Sequence, residues 1–163
     1  MARLLRGERV PLYGDGGNVR DWCHVDDNCA ALERVLADGE VGTVYNVGAG
    51  NEITNLDLTH RLLALCGADV SAIDQVADRP GHDRRYSVDT GRIRALGWAP
   101  TQDLDEGLVA TVAWYRAHPD RCEPLLEDRQ RAEERRAGKD RGHRGAPADY
   151  RKKTARTEYR TLP

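Results

Sequence analysis

The spacing of apolar residues after residue 26 follows the 3.6-residue period of a helix that buries one face. Asp26 or Asp27 can cap the start of this helix, and Gly39 ends it. The pattern therefore predicts an amphipathic helix between these points. Its apolar positions, predicted to mark the buried face, are Ala30, Ala31, Leu32, Val35 and Leu36.

A second helix is predicted from a capping residue, a leucine-rich pattern and a terminal glycine. Thr54 or Asn55 caps its start, because short polar side chains accept hydrogen bonds from the free N–H groups of a first turn. Gly67 is its natural end, since glycine adopts the left-handed conformation of many helix C-termini. The residues predicted to face inward are Leu56, Leu58, Leu62, Leu63 and Leu65.

Two further helices are predicted near the end of the apolar pattern. Asp89 or Thr90 caps a short helix that runs through Leu96 and stops at the Gly-Trp-Ala-Pro segment after it. Asp103 opens a last helix that reaches about Ala117.

Three strands are predicted between and before these helices. Residues Arg20 to Val25 alternate as a short strand does, and a strand near Ile73 to Ala77 leads into an arginine-rich loop. The β-branched run from Thr43 to Val47, bounded by glycines, is typical of a buried strand in a parallel sheet. Alternating strands and helices of this kind predict an α/β fold.

The distribution of charge predicts a body, residues 1–120, and a charged tail, residues 121–163. The tail holds 13 Lys and Arg residues against 8 Asp and Glu residues, although the whole chain has a net charge of -2. Leu125 to Arg136 has the composition of a solvated helix, and disorder is expected beyond Gly138, because few large apolar residues are available for burial. The charges are mixed and no aromatic residues are interleaved for base stacking, so we do not expect nucleic acid as a partner.

Several function classes find no support in the sequence. No stretch approaches the length of a membrane span, and the start of the chain is too poor in apolar residues for a signal peptide, so we expect a cytoplasmic location and no membrane contact. The cysteines form no metal-binding spacing with the histidines and are expected to be reduced and mostly buried. They are Cys23, Cys29, Cys66 and Cys122.

Two further groups of residues receive a structural interpretation. His24, Asp26 and Asp27 stand together, but helix capping explains both aspartates, and we assign the group no metal or acid–base role. The tryptophans are predicted to be core residues rather than ligand platforms. They are Trp22, Trp98 and Trp114.

The richest chemistry lies in residues 77–89, here called the arginine loop, which read Ala-Asp-Arg-Pro-Gly-His-Asp-Arg-Arg-Tyr-Ser-Val-Asp. Guanidinium groups bind phosphate oxygens in a fixed two-pronged geometry. The Pro-Gly step bends the backbone so that Arg79 and His82 can converge, and the histidine adds a switchable donor. The loop suits a phosphorylated ligand, and a solvated, salt-bridged surface loop is the alternative.

Four motifs taken together resemble one enzyme family. They are Pro11-Leu12-Tyr13-Gly14, Arg20-Asp21-Trp22, Tyr45-Asn46-Val47-Gly48 and Arg79-Pro80-Gly81-His82-Asp83-Arg84-Arg85-Tyr86. Their order and spacing resemble the C-terminal half of the dTDP-glucose 4,6-dehydratases, which are extended short-chain dehydrogenase/reductases. The resemblance implies the C-terminal part of a Rossmann-like α/β fold with its small substrate-binding domain. It runs from about residue 6 to residue 119.

The resemblance also implies what the complete enzyme uses for chemistry. Family members hold NAD on a glycine-rich turn and carry a Tyr-x-x-x-Lys pair, and neither motif occurs in this sequence. We therefore expect the chain alone to bind no NAD and to be catalytically inert. The expected ligand is a dTDP-sugar, and a separately encoded N-terminal half is a candidate partner.

The resemblance assigns individual roles to residues of the four motifs. It places Pro11 and Tyr13 near the nucleoside, and Arg20 and Arg79 at the pyrophosphate, where ion pairing with Asp21, Asp78 or Asp83 is the structural alternative. Asn46 matches an asparagine that meets the phosphate at a strand end, or else it only ties strand to loop. His82 matches the family histidine of the same loop, and Arg84 and Arg85 either support that loop or touch ligand. The predicted substrate-binding residues are thus Pro11, Tyr13, Arg20, Asn46, Arg79 and His82.

Two other functions remain open from the sequence. A related nucleotide-sugar epimerase or decarboxylase shares the Tyr-Gly, Arg-Asp and Asn-Val-Gly features, although the arginine loop favours the dehydratase. Alternatively, the chain is a non-catalytic interaction protein whose positively charged tail binds an acidic partner. Removing residues 121–163 without loss of partner binding would exclude that second alternative.

Overall fold

The computed structural model describes residues 1–121 and shows an α/β arrangement of short strands and helices. Residues Met1–Pro119 form one compact unit. A 3₁₀ turn at Val70–Ala72 precedes the last strand. The helices are α1 (Ala2–Leu5), α2 (Val25–Asp38), α3 (Asn55–Cys66), α4 (Gly91–Ala95) and α5 (Leu104–Ala117), and the strands are β1 (Val10–Tyr13), β2 (Val19–Asp21), β3 (Glu52–Thr54) and β4 (Ile73–Val76).

The four strands form two small two-stranded sheets. β1 and β4 are parallel, with Val10 opposite Ile73 and Tyr13 opposite Val76. β2 and β3 are antiparallel, and Arg20 lies opposite Ile53. Because β1 and β4 are parallel, the turn after Tyr13 and the loop after Val76 leave the sheet at the same edge. This edge brings two of the sequence motifs together.

The caps of α3 and α5 confirm the predicted ends of these helices. The Thr54 hydroxyl accepts a hydrogen bond from the Asp57 main-chain N–H at 3.0 Å, and Gly67 ends α3 in the left-handed conformation with φ +74°. Asp103 accepts hydrogen bonds from two main-chain N–H groups of the first turn of α5. Local signals of this kind are strong because the capping residue and the groups it satisfies are neighbours in sequence.

The prediction for α2 was partly wrong. Its N-cap is His24, whose Nδ1 accepts from the Asp26 main-chain N–H at 3.2 Å, so the helix begins before the two aspartates expected to cap it. The buried face carries Asp27 and Ala31, whereas Leu32 and Leu36 are exposed. Apolar residues occur on two faces of this helix, and the sequence pattern alone did not show which face meets the core.

The predicted strand at Thr43 to Val47 was also wrong. The segment carries no strand assignment, and none of the strands among residues 1–121 pairs with it. A strand exists only through hydrogen bonds to a neighbour, so a β-branched run can stay unpaired when no neighbour is present. Tyr45 and Val47 nevertheless pack against the core, while Val44 is exposed.

One core cluster lies between α2, α4 and the segment that follows α4, and the other buried apolar positions among residues 1–121 are Leu4, Leu12, Leu58, Leu63 and Val112. Ala31 and Ile93 are fully buried, and Trp98 packs with them. The prediction of a core role is confirmed for Trp98 and wrong for Trp114, which is about half exposed. One face of α5 is thus partly exposed.

Other sequence predictions fall partly or wholly beyond the described residues. The charged tail, its predicted helix and Cys122 lie outside residues 1–121. Within that range, no helix is long and apolar enough to cross a membrane.

Candidate functional site

The arginine loop begins with a tight turn whose centre is Pro80-Gly81. The His82 main-chain N–H donates to the Arg79 carbonyl oxygen at 3.1 Å, and Gly81 has φ +71°. Proline at the second position and a glycine with positive φ at the third are the residues that a type II turn requires. The turn therefore places the side chains of Arg79 and His82 at its two ends, as the sequence predicted.

Tyr13, Arg79 and His82 form one cluster at the shared edge of β1 and β4. The Arg79 guanidinium carbon lies 5.4 Å from the centroid of the Tyr13 ring, and the His82 ring meets the same tyrosine edge-on at 6.4 Å. A guanidinium over an aromatic face is held by the ring's negative potential while its N–H groups stay available. Pro11 lies two residues before Tyr13 in β1, opposite Asp74.

Arg20 lies on β2 and is held against the arginine loop by Tyr86 and Asp83. Its guanidinium carbon is 4.0 Å from the Tyr86 ring centroid, and its Nη2 donates to the Asp83 main-chain oxygen at 3.0 Å. The Tyr86 hydroxyl donates to the Asp83 carboxylate at 2.7 Å, which raises the pKa of that phenol. Arg20 thus contacts the arginine loop, of which Arg79 is a member.

The carboxylates proposed as alternative partners of these two arginines are engaged elsewhere. Asp21 accepts from the main-chain N–H groups of Gly50 and Asn51, Asp78 accepts from His82, and Asp83 accepts from Tyr86. Between residues 1 and 121, neither Arg20 nor Arg79 forms an ion pair with a carboxylate. Two cations without carboxylate partners favour an external anion.

Asn46 is not part of this cluster. Its amide nitrogen donates to the main-chain oxygen of Asp89 at 3.1 Å. The bond ties the segment after α2 to the end of the arginine loop, just ahead of α4. This contact corresponds to the alternative in which Asn46 only ties a strand to a loop. Among residues 1–121, the structure does not bring Asn46 into contact with the other five predicted site residues.

Arg84 fastens the arginine loop to the turn between β1 and β2. Its Nη1 donates to both carboxylate oxygens of Asp15, at 2.8 and 3.0 Å. The hydrogen bond from Arg84, followed by one from the Gly17 main-chain N–H, lowers the pKa of Asp15. A Cβ on Gly17 would lie 2.2 Å from the Arg84 guanidinium, so the glycine leaves room for it.

Arg85 fastens the same loop to β3. Its Nε donates to Glu52 at 2.8 Å, and the Ser87 hydroxyl donates to the other oxygen of that carboxylate at 2.6 Å. The hydrogen bonds from Ser87 and Arg85 lower the pKa of Glu52. Sequence reasoning left the roles of Arg84 and Arg85 open, because their carboxylate partners are more than thirty residues away in the chain.

Asp27 is a buried carboxylate that joins α2 to the segment before α5. Its carboxylate accepts from the Thr101 main-chain N–H and hydroxyl and from the Gln102 N–H, at 2.9 to 3.0 Å. Burial alone would raise the pKa of Asp27, but these hydrogen bonds outweigh it and lower the pKa. In the described part of the chain, no cluster of three or more potential metal ligands is present, including the group around His24.

A cavity of about 700 Å³ lies away from the arginine loop. It is lined mainly by apolar side chains of α3 and α5, among them Leu58, Leu62 and Trp114. Trp22 also lines it, and its buried indole N–H has no hydrogen-bond partner. None of the six predicted substrate-binding residues contributes to this lining.

Comparison with known proteins decides the family. A family model described as GDP-mannose 4,6 dehydratase matches residues 1–111. The chain belongs to this family. The predicted resemblance to dTDP-glucose 4,6-dehydratases is confirmed as well. One such relative, from Streptomyces griseus, is 53% identical over 124 residues, which cover 76% of this chain and 38% of the relative. Another, from an Actinoplanes species, is 53% identical over 72% of this chain and 37% of its own length.

Solved structures confirm the Rossmann-like α/β fold. The dTDP-glucose 4,6-dehydratase DesIV from Streptomyces venezuelae, whose structure contains NAD, matches with a TM-score of 0.72 and 51% identity. The match covers 76% of this chain and 38% of DesIV. A UDP-glucose 4-epimerase from Thermotoga maritima, solved with UDP-glucose, matches with a TM-score of 0.66 and 35% identity, over 71% of this chain and 37% of the epimerase. The chain thus spans less than two fifths of these proteins.

Proposed function

We propose that this chain binds a dTDP-sugar through its diphosphate and positions that sugar for the reactions of a dTDP-glucose 4,6-dehydratase. The observation that carries the proposal concerns Arg20 and Arg79: each lies over an aromatic ring, and neither forms an ion pair with a carboxylate of residues 1–121. Two guanidinium groups held on aromatic rings present fixed donors to a diphosphate. The names of the closely matching relatives support dTDP-glucose as the substrate.

The other predicted site residues complete this proposal. Tyr13, beyond Pro11 on β1, offers a flat apolar surface for the nucleoside, since its ring is more than one third exposed. His82 lies beside it and provides a ring nitrogen for a polar group of the ligand. Asn46 would join the site only if its bond to Asp89 were exchanged for one to the ligand.

The proposed role is positioning without a chemical step. None of the six tyrosines is followed by lysine four residues later, and the sequence has no Gly-x-x-Gly-x-x-Gly turn. We therefore expect these 163 residues alone neither to turn over dTDP-glucose nor to bind NAD. Proton and hydride transfer would need residues that correspond to the N-terminal portion of the relatives.

The partner in this proposal is a polypeptide that resembles the N-terminal portion of the relatives, whether continuous with this chain or separate from it. An apolar stripe on α2 supports the proposal, because Val25, Cys29, Leu32 and Leu36 recur at helical spacing and are exposed. The segment from Thr43 to Val47 follows α2 in the chain and pairs with none of the strands among residues 1–121, so it can add to a strand of the partner.

Calorimetric titration of the folded chain with dTDP tests the ligand proposal. We expect Arg79→Ala and Arg20→Ala each to weaken dTDP binding by at least about tenfold, because a charge-assisted bidentate contact contributes about 1.5–3 kcal/mol. Arg34→Ala is the matched control, since Arg34 is an exposed arginine that pairs with Asp38 on α2. No binding by a folded wild-type chain, or equal loss in the control, would contradict the proposal.

Association with the N-terminal portion of the Streptomyces griseus relative tests the partner proposal. Co-expression should give a complex that turns over dTDP-glucose, and Leu36→Glu should weaken the complex without changing dTDP binding by this chain. Val109→Glu is the control, because Val109 is an exposed apolar residue on α5. Full turnover by the chain alone would show that the proposed division of roles is wrong.

A second candidate is the binding half of a nucleotide-sugar epimerase. The match to a solved UDP-glucose 4-epimerase favours it specifically. Competition between dTDP and UDP separates the two candidates, because they differ in the pyrimidine 5-methyl group and in the sugar 2′-hydroxyl. Preference for dTDP supports the dehydratase, and preference for UDP supports the epimerase.

A further inference from the structure

Asp78 lies against the cluster formed by Tyr13, Arg79 and His82. It contacts Arg79 and His82 directly, and it lies beside Gly14, the residue after Tyr13. Its Oδ1 lies 2.6 Å from His82 Nδ1 and accepts from the Arg79 main-chain N–H at 2.8 Å. A Cβ on Gly14, the residue after Tyr13, would lie 3.1 Å from the Asp78 side chain. Asp78 therefore closes the Pro-Gly turn and packs on the end of β1.

The contact between Asp78 and His82 fixes the position of the imidazole proton. An ionised carboxylate can only accept hydrogen bonds, so the proton between the two groups belongs to Nδ1 of the histidine. The hydrogen bond from His82, followed by that from Arg79, lowers the pKa of Asp78, which is therefore ionised at neutral pH. In a neutral imidazole with a proton on Nδ1, the other nitrogen, Nε2, is a hydrogen-bond acceptor.

We propose that Asp78 is a positioning residue that holds His82 in the Nδ1–H form, so that Nε2 accepts a hydrogen bond from a hydroxyl group of the bound nucleotide sugar. The inference rests on the proposed function, because it gives His82 a partner in the same ligand. The His82 side chain is only 7% exposed, and its ring is also fixed against Tyr13. A ring held on two sides presents Nε2 in one direction.

Nitrogen-15 NMR of the imidazole groups tests the tautomer without any ligand. His82 signals are assigned from their loss in His82→Gln. In the wild-type chain, at a pH where the imidazole is neutral, we expect a protonated Nδ1 and an unprotonated Nε2. Asp78→Ala should move much of the population to the Nε2–H form, which is the commoner form of free imidazole side chains. An unchanged His82 spectrum in Asp78→Ala, or Nε2–H in the wild type, would overturn the proposal.

Asp78→Asn is the conservative variant that separates positioning from charge. The Arg79 N–H and His82 Nδ1 bind the same oxygen, so the amide oxygen of asparagine can occupy that place. We expect Asp78→Asn to keep the Nδ1–H form that Asp78→Ala loses. Asp74→Asn is the matched control, because Asp74 is a partly exposed aspartate on β4 that pairs with Arg9. A tautomer change in that control would contradict the specific role of Asp78.

Binding measurements identify the hydroxyl group. Asp78→Ala should weaken binding about three- to tenfold, as expected for one neutral hydrogen bond. If Asp78→Ala binds dTDP-glucose more weakly but dTDP unchanged, the group is a hydroxyl of the hexose. If the affinity for both ligands falls equally, it is the hydroxyl of the nucleoside. No loss for either ligand overturns the acceptor role. If the wild-type chain binds neither ligand, the proposed function and the ligand role of His82 both fail, whereas the NMR result still decides the role of Asp78 in the tautomer.

Discussion

Trp98 donates its indole N–H to the main-chain oxygen of Asp27 at 3.0 Å, and both residues are buried. The Asp27 carboxylate in turn accepts hydrogen bonds from the backbone of Thr101 and Gln102. These bonds join the first turn of α2 to the segment between α4 and α5. A residue that the sequence suggested as a helix cap is thus the polar centre of a long-range contact.

Replacing Asp27 should destabilise the chain strongly. Asp27→Ala leaves two partly buried main-chain N–H groups and a hydroxyl without their acceptor, and we expect a loss of about 2–4 kcal/mol in the free energy of unfolding. Urea denaturation monitored by tryptophan fluorescence measures this loss. Asp26→Ala is the control, since the Asp26 side chain is mostly exposed, and a comparable loss there would contradict the explanation.

The same carboxylate should contribute to acid unfolding. Hydrogen bonds from Thr101 and Gln102 lower the pKa of Asp27 in the folded chain. Its stabilising contribution is therefore present above the ordinary pKa of about 4 and is lost as the pH falls through the lower folded value. Stability curves from pH 7 to pH 2 should fall less steeply below pH 4 for Asp27→Asn than for the wild type. Parallel curves would show that Asp27 does not titrate in this way.

The core residue Ile93 gives a matched test of burial. Ile93 is fully buried beside Ala31 and Trp98, so Ile93→Ala should cost about 2–5 kcal/mol through lost burial and a cavity. Val41→Ala should change stability by less than about 0.5 kcal/mol, because Val41 is fully exposed. Thermal unfolding of both variants measures the difference. Similar losses of stability in the two variants would show that Ile93 is not a core residue.

The parts of the fold that could be predicted are those with local causes. Thr54, Gly67 and Asp103 act on backbone groups within a few residues, and their helix ends follow from the sequence. The segment at Thr43 to Val47 and the exposed face of α2 depend on what lies beside them in space. No local pattern carries that information, so a strand without a neighbour was misjudged.

The candidate site also has a part that the sequence predicts and a part that it does not. The turn that separates Arg79 and His82 follows from Pro80-Gly81. The four motifs indicate the family that the comparisons show. The contacts from Arg84 to Asp15 and from Arg85 to Glu52 join distant parts of the chain and became visible only in the structure. The sequence therefore indicated which loop carries the chemistry but not what holds that loop in place.

Gly67 tests the conformational requirement at the end of α3. Its φ of +74° is unfavourable for a residue with a Cβ, although no atom would obstruct that Cβ. Gly67→Ala should therefore cost about 1–2 kcal/mol, and Gly67→Asn should cost less, because asparagine tolerates this conformation. Chemical denaturation of both variants provides the comparison. Equal losses would point to a cause other than backbone conformation.

Gly17 tests whether the Arg84–Asp15 pair positions the arginine loop. In Gly17→Ala the new methyl group would lie 2.2 Å from the Arg84 guanidinium, which must move away and weaken its contact with Asp15. The pair is exposed, so we expect little change in stability. The loop that carries Arg79 and His82 would be less firmly held, and dTDP binding should weaken severalfold in calorimetric titration.

Arg84→Ala provides the comparison for Gly17→Ala, because it removes the same ion pair without adding a methyl group. Equal weakening of dTDP binding in the two variants is expected if the ion pair positions the loop, since each variant removes the contact of Arg84 with the β1–β2 turn. Weakening in Gly17→Ala alone would assign the effect to the backbone of the turn. Weakening that is much larger in Arg84→Ala would instead make Arg84 a direct ligand of the diphosphate, as the sequence left open.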